Sequence, residues 1–236
     1  MAKDVIIALD FPTLSETLSF LDAFPPPGRP FVKIGMELFY AEGPEAVRQV
    51  KARGHRIFLD LKLHDIPNTV ERAMRRLSAL DIDMVNVHAA GTAEMMRAAR
   101  RGLTRPDGTR PLLIAVTQLT STDEARMHSE LLIGAPMEEA VRSYAANAAG
   151  AGLDGVVCSP LEAEAVHRAC GAGFLTVTPG VRFAGGDAGD QARVTTPARA
   201  AALGADYIVV GRPITADPNP PAAWRRCRSE FLGGAE

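Results

Sequence analysis

The chain has 236 residues, of which 47% are hydrophobic and 23% are charged, the composition of a globular protein with a sizeable core. Its net charge of −2 argues against a nucleic-acid or membrane-surface binder, because both classes favour a strong basic excess. The longest N-terminal apolar run is too short for a signal peptide or a membrane span, and the three cysteines are odd in number and widely spaced, so we expect a cytoplasmic protein with reduced thiols.

Short apolar runs rich in β-branched residues recur along the chain, separated by longer helical patterns. The runs predict strands over 5–10, 31–35, 56–62, 84–89, 112–119, 155–159, 174–179 and 207–211. Near-continuous apolar strands indicate burial on both faces, as in a parallel sheet. Two of the helical patterns, 43–54 and 160–173, close with glycine, a common signal for the end of a helix.

Eight strand–helix units in a chain of this length predict an α/β fold, a (β/α)8 TIM barrel. We expect a single domain over 1–236 with a frayed tail at 233–236. An open doubly wound sheet is the alternative, although no Gly-x-Gly-x-x-Gly follows the first strand. Long loops are predicted over 120–137 and 181–194, at strand ends where lids and binding loops lie; three glycines make the second easy to move.

Polar residues fall at the ends of the predicted strands. Because the C-terminal ends of barrel strands gather at one rim, where the active sites of such barrels lie, the pattern predicts one shared site. For His88, which is one of these residues, the sequence is equally compatible with a position facing the site and with a position in the core. In chain order, the residues are Asp10, Lys33, Asp60 with Lys62, His88, Thr120, Arg182, and Gly211 with Arg212.

The segment FLDLKLHDIPNTV, residues 58–70, places charges in and just beyond a run with the pattern of a buried strand. Side chains alternate along a strand, so Asp60 and Lys62 share one face, and Lys33 can reach them from the neighbouring strand. With Asp65, these residues predict an alternating Lys–Asp–Lys–Asp array that suits proton delivery or the stabilisation of developing negative charge. A structural ion pair is the alternative for Asp60 and Lys62.

The end of this segment also predicts the start of a helix. The sequence NTVE fits a capping box, with Asn68 as the N-cap and Glu71 at the third helical position. Capping of this helix explains why Asn68 occurs here, but it explains the occurrence of Asp65 less well.

Glycines stand beside arginines after the seventh and eighth strands, in TPGVR (178–182) and VVGRPI (209–214). The loops after these two strands form the frequent phosphate site of (β/α)8 barrels, and Arg212 offers a bidentate partner for phosphate. The pattern therefore predicts a ligand class rather than a reaction. A surface arginine beside a turn glycine is the alternative.

The sequence resembles the orotidine 5′-phosphate decarboxylase family over nearly its whole length. The shared motifs occur in order on the expected strands: ALD at 8–10, VKIG at 32–35, the segment 58–70, TPGVR at 178–182 and VVGRPIT at 209–215. The resemblance implies a carboxy-lyase that converts orotidine 5′-phosphate to UMP and CO2 in de novo pyrimidine biosynthesis, with no metal or organic cofactor.

The resemblance also implies catalytic roles. Asp60 would crowd the substrate carboxylate, and Lys62 would stabilise and protonate the carbanion left at C6 of the pyrimidine. Lys33 and Asp65 would complete the charge array. Asp65 and Thr69 would reach the ligand of a neighbouring subunit, so the resemblance implies a homodimer. Apart from the second subunit, the implied partner is the small-molecule substrate.

The remaining implied contacts hold the substrate. Asp10 would bind the ribose hydroxyls, and Thr120 would meet the pyrimidine, with Ser121 and Thr117 as alternatives. The 181–194 loop would close over the phosphate. Its implied phosphate contacts, together with those after the eighth strand, are Arg182, Gln191, Gly211 and Arg212.

Two other functions compete with this interpretation. A related barrel acting on a sugar phosphate, such as a ketogulonate-phosphate decarboxylase or hexulose-phosphate synthase, shares Asp-x-Lys-x-x-Asp but uses Mg²⁺ to hold an enediolate. The DIPNTV continuation, and Lys33 where a metal site would not accept a cation, favour the pyrimidine substrate. A catalytically silent barrel is the second alternative, which the intact charge array disfavours.

Overall fold

The computed structural model describes residues 3–185 and 195–233, in which eight parallel strands close into a barrel. Every strand pairs with its neighbours in chain order, and β8 pairs with β1. The predicted (β/α)8 barrel is confirmed, and the open doubly wound sheet is wrong. The strands are β1 (Asp4–Leu9), β2 (Phe31–Ile34), β3 (Ile57–Leu63), β4 (Met84–His88), β5 (Leu112–Val116), β6 (Gly155–Val157), β7 (Leu175–Thr178) and β8 (Tyr207–Val210).

Helices follow the strands and cover the outside of the barrel. Within the described ranges, every helix is too short or too polar to span a bilayer. The helices are α1 (Leu14–Leu21), α2 (Met36–Glu42), α3 (Pro44–Ala52), α4 (Pro67–Leu77), α5 (Thr92–Leu103), α6 (Glu124–Ser129), α7 (Met137–Gly150), α8 (Ala163–Cys170), α9 (Pro197–Ala202), α10 (Arg212–Thr215) and α11 (Pro220–Leu232).

The core has two parts because side chains alternate across each strand. Along β1, Ile6 and Ala8 point into the barrel, whereas Val5, Ile7 and Leu9 face the surrounding helices. Both faces are therefore buried, which explains why the strands appear in the sequence as continuous apolar runs. The inner cluster comprises Ile6, Ala8, Phe31, Phe58, Met84, Ile114, Leu175, Val177, Tyr207 and Val209.

The region after β5 differs from the prediction. The strand ends at Val116 rather than at 119, and the hydroxyl of Thr117 donates to the carbonyl of Val157 at 2.9 Å. The predicted 120–137 loop contains helix α6, because the carboxylate of Asp123 caps its first turn by accepting the N–H of Arg126 at 2.8 Å.

The start of α4 also differs. The helix begins at Pro67, so Asn68 lies inside its first turn, and the predicted capping box is wrong. Proline is well suited to the first helical position, since its φ is preset and its missing N–H is not needed there. Glu71 instead bonds Arg75 and Arg101, on α4 and α5.

Candidate active site

The C-terminal end of β3 departs from regular strand geometry. Leu59 pairs with Val85 and Leu63 pairs with Val87, so three residues of β3 lie opposite the single residue Asn86 of β4. Within this bulge, Lys62 has a φ of +53°, in the left-handed region that residues other than glycine rarely adopt. Bulges beside active sites typically redirect side chains, and this one turns the side chains of β3 toward the barrel mouth.

Four of the predicted residues meet at this mouth. The Nζ atom of Lys62 lies 2.7 Å from Oδ1 of Asp60, and the Nζ atom of Lys33 lies 3.5 Å from Oδ2 of the same carboxylate. Lys33 also contacts Oδ1 of Asp10 at 3.0 Å. Within one chain, the observed sequence of charges is therefore Lys62–Asp60–Lys33–Asp10. A Cβ at Gly35 would lie 3.0 Å from the Lys33 ammonium, so glycine leaves room for this arrangement.

The environment keeps the Asp60 carboxyl ionised. Burial alone would raise its pKa, but the charges of Lys33 and Lys62 outweigh burial and hold the pKa below its ordinary value. Hydrogen bonds from Lys62 and Asn86 act in the same direction. The carboxylate is thus a fixed negative charge at the wall of the site.

Asn86, a completely buried residue of β4, is not among the predicted site residues. Its Nδ2 donates to Oδ1 of Asp60 at 2.7 Å, and its Oδ1 accepts the backbone N–H of Lys62 at 2.8 Å. The available signal was an amide side chain in the otherwise apolar run MVNV of β4. A buried amide in such a run needs hydrogen-bond partners, and here the partners are the two central charged residues.

His88 lies beside the charge array at the end of β4. Its half-buried ring is 5.6 Å from that of His64, centroid to centroid. Burial lowers the pKa of His88, the neighbouring His64 and Lys62 side chains lower it further, and Asp60 opposes them. The lowered pKa favours the neutral form of this ring, which flanks the site.

A cavity of about 230 Å³ opens next to these charges. Its apolar wall is formed by Phe58, Val116, Val157 and Val209, and polar atoms come from Gln118, Thr120 and Ser121. Of the three residues predicted to meet the pyrimidine, Thr120 and Ser121 line the cavity, whereas the hydroxyl of Thr117 donates to the carbonyl of Val157. The cavity thus combines an apolar wall with one charged end.

A second, more open cleft continues from the cavity. The two spaces share Lys33, Pro179 and Val209, and the cleft is also lined by Asp10, Gly180, Arg182, Gly211 and Arg212. The side chain of Asp10 is 61% exposed and stands at the junction. A ligand that fills both spaces would place an apolar ring at one end and an anion at the other.

The base of the 181–194 loop is fixed to the barrel. Val181 and Thr195 form a bridge, in which the N–H of Arg182 donates to the carbonyl of Thr195 at 2.9 Å. The guanidinium of Arg226 stacks 4.1 Å from the ring centroid of Phe183. Gln191 lies outside the described residues.

Asp65 and Thr69 do not enter the site of their own chain. Both are exposed, and Oδ1 of Asp65 accepts the N–H of Ile66 at 2.6 Å. Among residues 3–185 and 195–233, Asp65 forms no ion pair. Ile66 between them is 66% exposed, so an apolar side chain and two polar ones project together from the rim.

The acids of the site suit an ammonium better than a metal ion. Lys33 lies between Asp10 and Asp60, in the position from which a divalent cation would have to contact both carboxylates. In the part of the chain that the structure describes, no three His, Cys, Asp or Glu side chains converge in a way that could hold a metal ion.

Comparison with known proteins decides the family. The profile of the "Orotidine 5'-phosphate decarboxylase / HUMPS family" matches residues 3–227. The chain belongs to this family. It is 55% identical to the orotidine 5′-phosphate decarboxylase of Geobacillus thermodenitrificans over 99% of both chains, and 55% identical to that of Enterococcus faecalis over 96% of this chain and 97% of the relative. The predicted family is confirmed, and with it the prediction of a carboxy-lyase.

Solved structures agree. The orotidine 5′-phosphate decarboxylase of Lactobacillus acidophilus superposes with a TM-score of 0.86 at 41% identity, covering 97% of this chain and 99% of that one. The enzyme of that name from Pyrococcus horikoshii, at 22% identity and a TM-score of 0.76, shares the fold over 98% of this chain and 100% of that one.

Proposed function

We propose that this chain decarboxylates orotidine 5′-phosphate to UMP and CO2, in de novo pyrimidine biosynthesis, without a metal or organic cofactor. The observation that carries the proposal is the Asp60 carboxylate, held between the ammonium groups of Lys62 and Lys33 at the wall of a cavity that opens onto an arginine-lined cleft. Relatives more than 50% identical over nearly the whole chain bear the name of this activity.

The chemical step follows from the charges. Asp60, ionised and fixed, would lie beside the carboxylate of the bound substrate, and the repulsion would be relieved when that group leaves as neutral CO2. The C6–carboxylate bond breaks, and its electron pair stays on C6. The ammonium of Lys62 stabilises this carbanion and donates a proton to form the C6–H bond, after which water reprotonates the amine.

Lys33 and Asp10 have supporting roles in this scheme. The Lys33 ammonium keeps Asp60 ionised from the side opposite Lys62 and links it to Asp10. Asp10, exposed at the junction of cavity and cleft, is placed to accept hydrogen bonds from the ribose hydroxyls. The same carboxylate therefore connects the part of the site that reacts with the part that binds.

The two spaces fit the two ends of the substrate. The pyrimidine would pack against the apolar wall, with Thr120 or the adjacent Ser121 donating to its polar edge. Arg182 and Arg212 line the cleft and would bind the phosphate, with Gly211 allowing close backbone approach. Binding energy from this remote phosphate would support closure of the 181–194 loop, to which Gln191 would contribute.

We further propose a homodimer in which Asp65 and Thr69 reach the neighbouring subunit's site. Support comes from the exposure of both side chains at the rim, where Ile66 between them is also exposed and offers apolar surface to a partner. Asp65 would then complete the partner's Lys–Asp array. We place the enzyme in the cytoplasm, which is consistent with its three free cysteine thiols.

The direct test is turnover by metal-stripped protein. Purified protein is treated with EDTA and mixed with orotidine 5′-phosphate, and the loss of ultraviolet absorbance is followed while the product is identified by chromatography. Conversion to UMP at an undiminished rate supports the proposal. No conversion by folded protein contradicts it, and activity on a sugar phosphate that EDTA abolishes would assign the chain to the Mg²⁺-dependent branch.

A further inference from the structure

Asn86 is a buried polar side chain on the inner face of the barrel. It lies on β4 two residues after Met84, a member of the inner cluster, and its side chain is fully buried. Burying an amide without partners is costly, so its hydrogen bonds must be satisfied within the protein. Both of the hydrogen bonds that the described residues give it go to the charge array, to Asp60 and to Lys62.

The bond to Lys62 replaces a missing strand contact. In the bulge, three residues of β3 lie opposite one residue of β4. The main chain of β4 therefore has too few carbonyl groups to accept every backbone N–H of the bulge. Oδ1 of Asn86 supplies the acceptor for the N–H of Lys62 at 2.8 Å. This bond holds Lys62 in a left-handed conformation that a lysine would not otherwise keep.

The bond to Asp60 fixes the carboxylate. Oδ1 of Asp60 accepts from Nδ2 of Asn86 and from Nζ of Lys62, both at 2.7 Å. Because Oδ1 already accepts these two bonds, it is the other oxygen, Oδ2, that contacts the Nζ atom of Lys33, at 3.5 Å. One rigid amide therefore sets the orientation of the carboxylate and the backbone of the lysine that contacts it.

We propose that Asn86 is a positioning residue of the decarboxylation: by bonding the carboxylate of Asp60 and the backbone N–H of Lys62 at once, it holds the proton donor and the fixed negative charge in reacting geometry. The inference rests on the proposed function. A buried amide with a purely structural role would contribute to stability alone, whereas Asn86 would act on the rate of the chemical step.

The test compares Asn86→Leu, which keeps the branched shape of the side chain and removes both bonds, with a matched control. Thr176 is also fully buried, and its hydroxyl likewise joins a carboxylate to a backbone N–H, donating to Oδ2 of Asp206 at 3.0 Å and accepting the N–H of Asp206 at 3.2 Å. Thr176→Val therefore removes an equivalent pair of bonds away from the site.

We expect Asn86→Leu to lower kcat by about 100-fold, because small misplacements of reacting groups have effects of this size. KM for orotidine 5′-phosphate and Kd for UMP should stay within about threefold of wild type, since the phosphate and ribose contacts are intact. Thr176→Val should lose comparable thermal stability and keep kcat within about twofold. A kcat for Asn86→Leu equal to that of Thr176→Val would overturn the proposal.

Two further measurements keep the test decisive. If Asn86→Leu does not fold, Asn86→Asp takes its place. This variant retains an acceptor for the backbone N–H of Lys62 and places a second carboxylate beside that of Asp60. Lys33 and His88 are the other titratable groups next to this pair. Two adjacent carboxylates raise one another's pKa, so the acid limb of the pH–kcat profile should move to higher pH. An unchanged profile would contradict the proposal.

A crystal structure of the folded variant separates this inference from the proposed function. Loss of the left-handed φ at Lys62, with its Nζ outside hydrogen-bond distance of Asp60, supports the positioning role whether or not wild-type protein converts orotidine 5′-phosphate. An unchanged Lys62–Asp60 geometry overturns it. Failure of wild-type turnover would count against the proposed function alone.

Discussion

The Nζ atom of Lys62 lies 2.7 Å from Oδ1 of Asp60, although the two residues are only two positions apart in one strand. Both residues lie in the bulge of β3, and Lys62 has a positive φ there. The proposed proton donor and the fixed negative charge therefore meet at the point where the strand departs from its regular geometry.

The pKa of Asp60 predicts a pH effect of removing Lys33. Because the charge of Lys33 lowers that pKa, Lys33→Met should raise it, and the acid limb of the pH–kcat/KM profile should move to higher pH. We also expect kcat/KM at the optimum to fall by at least about 100-fold. Lys51→Met is the control, since Lys51 pairs with Asp83 before β4 at 2.8 Å, and its profile should match wild type. An unshifted acid limb in Lys33→Met would contradict this account.

Mixed dimers test the shared site. Lys62→Ala and Asp65→Ala homodimers should both be inactive, whereas a heterodimer has one site with both native residues and one with neither. After random exchange of subunits, roughly a quarter of wild-type activity should return, because half of the dimers are mixed and each has one intact site. Absence of recovery, with heterodimers demonstrated by differential tags, would show that Asp65 serves its own chain.

The packing of α4 against α5 gives a prediction about stability. A Cβ at Gly102 would lie 2.1 Å from the backbone carbonyl oxygen of Glu71, so Gly102→Ala must push the two helices apart. We expect the free energy of unfolding to fall by about 1–3 kcal/mol in urea titrations. Gly150→Ala, at the end of α7 with open space around its Cβ, should be neutral or slightly stabilising. Equal effects of the two substitutions would be inconsistent with the close contact.

Much of the fold was readable from the sequence, because burial on both faces of the barrel strands produces continuous apolar runs with polar residues at one end. The convergence of Lys33, Asp60 and Lys62 follows from that pattern. The bulge of β3 could not be predicted in this way. A glycine often marks a residue with positive φ, whereas here the residue with positive φ is a lysine, Lys62.

Two other features depended on contacts that sequence spacing does not encode. Asn86 appears in the sequence as one amide in an apolar strand, and its partners become visible only when β3 and β4 are paired. The start of α4 was misplaced because Pro67 and the capping signal of Asn68 compete within two residues, and proline determines the boundary.

Turnover by Lys62→Ala tests most directly whether the Asp60–Lys62 pair carries the reaction. We predict that kcat for orotidine 5′-phosphate falls by at least about 1,000-fold, since the proton donor is lost, while UMP binding measured by calorimetry stays within about tenfold of wild type. Retained UMP binding shows that the site is folded. A kcat near that of wild type in the same preparation would contradict the assignment of Lys62 as the proton donor.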